Sequence, residues 1–189
     1  MVINDYLKKT LARLEEASRE EGVPSIDEED GKVLMALAYS SHADKIADLG
    51  AGVGYSTAWL AAGAGARGEA VVYAVEASAK RFEKLLKLLG GVRLGRAVVE
   101  PVRAEAIEWL RGLPDAYLGM AFLDIEKVYY PAAVKELERV LKPGGILAAH
   151  NALFPTLPDE FFQAIKEGPW EKPIIVPTWA GILVTARKG

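Results

Sequence analysis

Apolar positions near the start of the chain recur at helical spacing. Ile3, Leu7, Leu11 and Leu14 of VINDYLKKTLARLEEASREE share one face, which predicts an amphipathic helix stopped by Gly22 and Pro24. SIDEEDGKVLMALAY opens with Ser25 and Glu28 at capping-box spacing, which predicts a second helix. This helical pair is placed to cover a sheet, a substrate or a partner subunit.

From Lys45 onward the pattern changes. Short, continuous apolar runs at 45–50, 70–78, 96–102, 118–125 and 146–154 alternate with helical stretches at 56–64, 79–91, 104–113, 131–145 and 159–168. Continuous apolar runs read as strands buried on both faces, and their alternation with helices predicts a parallel sheet. Two last runs, 172–179 and 181–188, are joined by a turn at Gly181 too short for a crossover, so the final strand is expected to be antiparallel. The fold expected is α/β: a Rossmann-like, seven-stranded, mostly parallel sheet with an antiparallel last strand and helices on both faces. The chain reads as a single domain over 1–189, with a helical segment at 1–42 and the core at 43–189.

Composition narrows the function. The chain has 189 residues, 51% hydrophobic and 26% charged, with a net charge of −3. That argues against a broad nucleic-acid footprint, although KRFEKLLK and GVRLGR could form local basic faces. Cysteine is absent, which excludes disulfides, thiolate metal sites and cysteine nucleophiles. No apolar run reaches membrane-helix length and the N-terminus is charged throughout, so a cytoplasmic location is expected. The chain holds only Asn4, Asn151 and Gln163 as side-chain amides, and this scarcity points to a thermophilic source.

Ligands of open α/β sheets sit beyond the carboxyl ends of the strands. There, DLGAGVGYST (48–57) carries Asp48, then Gly50, Gly52 and Gly54, and runs into a helix. Such a loop lets the backbone approach a ligand, and the helix N-terminus offers free N–H groups to an anion. Tyr55 stands where the dinucleotide fingerprint needs glycine and would crowd a pyrophosphate. A small carboxylate suits the loop better, with Ser56 as a donor. Glu76 ends the second strand, where an acid can accept both hydroxyls of a ribose. Ala104 and Glu105 follow the third strand. Glu105 reads either as a first-turn acid favouring the helix dipole or as an acceptor for an adenine amino group. Together these residues predict a nucleoside with an amino-acid-like tail.

The fourth strand ends in FLDIEKVYYP (122–131), followed about 20 residues later by LKPGGILAAHNALF. With the glycine loop and Glu76, these corners resemble class I S-adenosylmethionine-dependent methyltransferases. More narrowly they resemble the cation-dependent O-methyltransferases of the catechol and caffeoyl-CoA group, from about Pro24 to the C-terminus. The resemblance implies S-adenosylmethionine as cofactor. It assigns a metal-binding aspartate to Asp124, the lysine three residues on to Lys127 and a following tyrosine to Tyr130. An Asp-Asn pair of metal ligands closes the fifth strand in that group; here it reads His150-Asn151, so Asn151 matches and His150 departs.

That resemblance implies a mechanism. A divalent cation held by Asp124 and Asn151 would bind two adjacent acceptor oxygens and lower the pKa of one, and Lys127 would take the proton. Tyr129 or Tyr130 could pack on the acceptor ring or the sulfonium. Oxygen ligands suit Mg²⁺ or Ca²⁺, and an imidazole ligand suits Mn²⁺ better. His150 can be read as a third ligand, as the general base, or as a hydrogen-bonded strand-end residue.

The leading expectation is methyl transfer to a hydroxyl of a small, catechol-like acceptor. Some members of the group methylate a hydroxylated uridine in transfer RNA, and a non-catalytic cofactor-binding protein is a third reading. An NAD-dependent reductase is disfavoured by Tyr55 and by the lack of a suitably placed Tyr-x-x-x-Lys pair. The amphipathic first helix allows a homodimer. Trp59 and Trp109 are expected in the core, Trp179 against a pocket and His42 at the surface.

Overall fold

The computed structural model describes residues 4–22 and 25–189; Ile3 and Pro24 lie outside the described residues. Helix α1 (Asp5–Glu21) starts on Asn4, whose side chain accepts from the Leu7 N–H, and ends on Gly22 in the left-handed region. Helix α2 (Glu28–Ser40) is capped not by Ser25 but by Asp27, which accepts from the Asp30 N–H. An aspartate two residues after Ser25 does the capping that the Ser25–Glu28 spacing predicts.

Eight strands form one sheet: β1 (Lys45–Leu49), β2 (Ala70–Glu76), β3 (Arg93–Leu94), β4 (Ala97–Arg103), β5 (Leu118–Leu123), β6 (Leu141–His150), β7 (Ile174–Val176) and β8 (Ile182–Ala186). Their spatial order is β3-β4-β2-β1-β5-β6-β8-β7. The core strands β4, β2, β1, β5 and β6 are parallel, and β8 is antiparallel to both of its neighbours. The strand beyond the expected seven is β3, a two-residue antiparallel partner of β4 too short to leave a periodic signal.

The helices between them are α3 (Tyr55–Arg67), α4 (Ala79–Leu89), α5 (Ala106–Arg111), α6 (Tyr130–Val140) and α7 (Asp159–Glu167). Helix α6 stops at Val140, short of the expected 145, because Leu141 already pairs with Leu118 and LKPGG forms the bulged start of β6, with Gly144 at φ 76°.

Alternate strand residues feed two cores. Ile46, Val72, Met120, Phe122 and Ala148 pack with α1–α4, whereas Leu49, Val75, Leu123, Leu147 and Ala149 pack with α5–α7. Burial of each large apolar side chain contributes about 1.5–3 kcal/mol. Trp59 is in the core as expected, and Trp109 is half-buried against Tyr73.

The N-terminal pair also packs against other helices. Gly31 of α2 meets Trp59 of α3, and Gly63 of α3 meets the Met35 backbone; a Cβ at either site would lie within 2.3 Å of those atoms. Glycine at both crossings brings the two helices close together. Glu20 and Glu21 at the end of α1 pair with Lys80 and Lys84 of α4. The first turn of α2 is thereby carried over the carboxyl ends of the strands.

Candidate active site

The strand order reverses between β1 and β5, and a cavity of about 1360 Å³ opens at their carboxyl ends. Its walls include the glycine loop, Glu76, Ala104 and Glu105 toward one side of the sheet, and Asp124, Lys127, His150 and Asn151 toward the other. Ser18, Ile26 and Asp30 of the N-terminal segment close it from above.

Gly50, Gly52 and Gly54 all have positive φ, at 92°, 57° and 104°. Gly50 passes so close to β5 that a Cβ would lie 2.1 Å from the Asp124 carbonyl oxygen. Gly50→Ala is expected to destabilise the fold by about 3 kcal/mol through backbone strain and displacement of Asp124; a thermal melt matching wild type would refute this. A Cβ on Gly52 would meet nothing, which leaves that backbone open to a ligand. Gly54 is not on the cavity wall; it faces Leu85 and Leu89 of α4.

Asp48 also stands behind the wall. It is fully buried and accepts from the Ser56 hydroxyl at 2.7 Å and from that of Thr57. Burial pushes its carboxyl up to about 7 despite those bonds, with the charges of Asp124 and Glu76 adding to the rise. Its Oδ1 has no hydrogen-bond partner among the described residues. The Ser56 hydroxyl proton is therefore spent on Asp48 rather than directed at a ligand carboxylate. At the cavity Ser56 and Tyr55 present instead the first turn of α3, a helix N-terminus.

Glu76 is 3% exposed. Its Oε2 accepts from the Gly52 N–H at 2.9 Å, and its Oε1 from the Ser78 N–H and from Arg81, at 2.8 Å to Nη2. Arg81 was not singled out by sequence, where it is one more charge in AKRFEK. Ala104 and Glu105 enter the same wall, the Ala104 N–H donating to the Glu76 carbonyl at 3.3 Å.

At the far end Lys127 opens a 3₁₀ turn (Lys127–Tyr129). Its Nζ lies 3.2 Å from Asp124 Oδ1 and 3.3 Å from the Tyr130 hydroxyl. Tyr130 is fully buried and its hydroxyl donates to the Leu123 carbonyl, so it braces the turn rather than packing on a ligand ring. Tyr129, 49% exposed, is the one of the two that lies on the cavity wall. Trp179 also lines it as expected, 71% exposed and edge-to-face with Phe154 at 5.4 Å.

His150 lies between two carboxylates. Nε2 is 3.1 Å from Asp30 Oδ2 and Nδ1 is 3.3 Å from Asp124 Oδ2. A carboxylate only accepts, so the arrangement favours a proton on each ring nitrogen. Burial opposes that charge, but the hydrogen bonds and charges of Asp124 and Asp30 outweigh it and raise the imidazole to about 9. Burial likewise pushes both carboxyls up, yet His150 holds each below its ordinary value, aided by Thr178 at Asp30 and by Lys127 at Asp124. Of the readings for His150, the arrangement favours the hydrogen-bonded strand-end residue, since both ring nitrogens face a carboxylate.

Asn151 has φ 63°, and its amide nitrogen donates to the Phe154 carbonyl at 2.8 Å. The donor set expected for a cation, Asp124, His150 and Asn151, thus contains an imidazole facing carboxylates at both nitrogens and a carboxylate already facing Lys127. It does not fit a divalent cation as it stands. Among the described residues, no group of three or more His, Asp or Glu side chains is arranged to hold a metal ion. Nor is any described helix long and apolar enough to cross a membrane.

Residues 47–152 match the family profile described as a methyltransferase domain. A candidate O-methyltransferase of Mycolicibacterium paratuberculosis is 28% identical over 94% of this chain and 85% of its own. The O-methyltransferase TomG of Streptomyces achromogenes, solved with S-adenosylmethionine, superposes with a TM-score of 0.75 at 23% identity, over 95% of this chain and 90% of its own. A Bacillus cereus O-methyltransferase bound to SAH gives 0.73 at 21%, over 95% and 91%. With the glycine loop, the strand order and the cavity at the β1–β5 switch, the chain belongs to the methyltransferase-domain family and is a class I S-adenosylmethionine-dependent methyltransferase.

Proposed function

We propose that the protein transfers a methyl group from S-adenosylmethionine to a hydroxyl of a small aromatic acceptor. The observation that carries this reading is the single cavity with two chemically distinct ends. One end has the open Gly52 backbone, the α3 N-terminus and Glu76, a set that fits a ribose and an amino-acid carboxylate. Glu105 and Ala104 would border the adenine. The other end has the Lys127–Asp124 pair beneath the exposed rings of Tyr129 and Trp179, which suits a flat apolar body bearing one polar group.

The bound cofactor supplies an electrophilic methyl carbon on a sulfonium. The chain's part is to hold the acceptor oxygen in line with that carbon, exclude water and receive the acceptor proton. Transfer would form an oxygen–carbon bond as the carbon–sulfur bond breaks; Lys127 would take the acceptor proton as a neutral amine, its ammonium having first given a proton to solvent. The aromatic rim orients the ring, and the N-terminal segment over the cavity keeps water out.

Glu76 is central to the cofactor end. Three protein groups already donate to it, so a ribose must share or displace Arg81, whose side chain is more than a third exposed. Glu76→Ala is expected to weaken S-adenosylmethionine binding by more than about tenfold, the loss of a charge-assisted hydrogen bond or more. Calorimetric titration checks this; unchanged affinity removes Glu76 from the ribose role, and no binding by the wild type overturns the function.

A further inference from the structure

We propose that the Asp30–His150–Asp124 bridge occupies the place of the divalent cation expected at this corner, so that methyl transfer here is metal-independent and Asp30 is a positioning residue for it. The inference rests on the methyl-transfer reading for its catalytic meaning, but its geometric part stands separately.

Four elements build the bridge. His150 ends β6, Asp124 follows β5, Asp30 lies in the first turn of α2, and Thr178 sits in the β7–β8 loop. Asp30 is 1% exposed, and both of its oxygens are used: Oδ2 faces His150 and Oδ1 accepts from the Thr178 hydroxyl. Thr178 in turn accepts from the Gly181 N–H at 3.2 Å. The α2 turn that carries Asp30 is fixed by the Asp27 cap and by Gly31 against Trp59. The imidazole is thus held on both sides by groups that are themselves held.

The contacts explain why a metal is shut out. Both ring nitrogens of His150 face carboxylates, and both oxygens of Asp124 and of Asp30 already face a partner. A divalent cation approaching Asp124 meets Lys127 at one carboxylate oxygen and His150 at the other. It would have to break both bridges. Lys127 is the cationic side chain of this corner on the cavity wall, where an acceptor oxygen gains negative charge. Buried ion groups of this kind add little stability over apolar packing. Its position on the cavity wall gives the bridge a role beyond folding.

The test is metal binding, read without turnover. Metal-stripped protein is titrated with Mn²⁺, and free Mn²⁺ is followed by electron paramagnetic resonance. The wild type is expected to bind no tighter than roughly 1 mM, the range of weak sites. His150→Asp places an Asp-Asn pair at the end of β6 and is expected to bind Mn²⁺ about tenfold tighter or more. If its three clustered carboxylates prevent folding, His150→Asp with Asp30→Asn carries the same test at lower charge. Micromolar Mn²⁺ binding by the wild type, lost in His150→Ala, would overturn the proposal; so would failure of the folded aspartate variants to gain metal.

The role of Asp30 has its own readout. His42 and His150 are the chain's two histidines, so ring ¹⁵N resonances are assignable with one variant. Both His150 nitrogens are expected to be protonated at neutral pH in the wild type, and one of them to lose its proton in Asp30→Asn. An unprotonated nitrogen in the wild type sinks the bridge. Calorimetry with S-adenosylmethionine on the same samples separates the two readings, because cofactor binding can fail while the metal result stands.

Discussion

Lys127→Ala is expected to lose methyl transfer by about 10²–10⁴-fold, the range for removing a positioned proton-transfer group, with cofactor affinity nearly unchanged. The separation of effects follows from the geometry. Lys127 contacts Asp124, the Ile125 carbonyl and Tyr130 at the β5 end of the cavity, while Glu76 and Gly52 lie across β1 at the β2 end. Truncation leaves Asp124 still bridged to His150, so the corner keeps its fold while losing the group nearest the acceptor oxygen. Lys127→Arg keeps the charge but spreads it over a planar fork, and is expected to restore little activity. Single-turnover transfer to a panel of hydroxylated aromatics, with calorimetry of S-adenosylmethionine alongside, measures both quantities. Unaltered transfer in Lys127→Ala would remove the catalytic role, and a matching loss of cofactor affinity would make the residue structural.

Local signals carried much of the architecture. Strand–helix alternation, the glycine loop and the acid ending β2 are each contained within about ten residues, so their spacing exposes them. The same holds for Asp124 and Lys127, and for Trp179 after β7. What stayed hidden was long-range. Asp30 reads as the third acid of EEDGK, an ordinary first-turn charge; only its partners His150 and Thr178, 120 and 148 positions away, give it another meaning. The trace that could have found it is Gly31, a glycine early in a helix that needs a reason, here close packing on Trp59.

The scarce asparagines also look different in the fold. Asn4 caps α1 and Asn151 takes a positive φ, two positions where asparagine's short amide suits the backbone better than most side chains do. A local backbone need therefore accounts for Asn151 without a metal. The histidine beside it departs from the pattern the chain resembles, and that departure matches Asp30 above it, where a carboxylate at 150 would face two others unpaired.

Stability should fall as pH rises from about 6.5 to about 9, by on the order of 3 kcal/mol from His150 alone. In the fold the imidazole keeps its proton up to about 9, whereas the unfolded chain releases it near 6.5, so the contribution is whole below about 6.5 and gone above about 9. The groups facing the ring have the opposite sign. Asp30 and Asp124 are held low, so what they add is present above about 4 and lost only in acid. Asp48, raised to about 7, adds a decline between about 4 and 7. It is common to the wild type and any His150 variant, and drops out of their difference. His150→Gln is therefore expected to be less stable than the wild type by about 3 kcal/mol near pH 6, through two buried carboxylates left without a cation. That gap should narrow by a similar amount as pH passes about 9. Urea unfolding of both proteins across this range measures the gap directly. A constant difference would mean that His150 does not hold its proton between Asp30 and Asp124, and the metal-replacing bridge would fail with it.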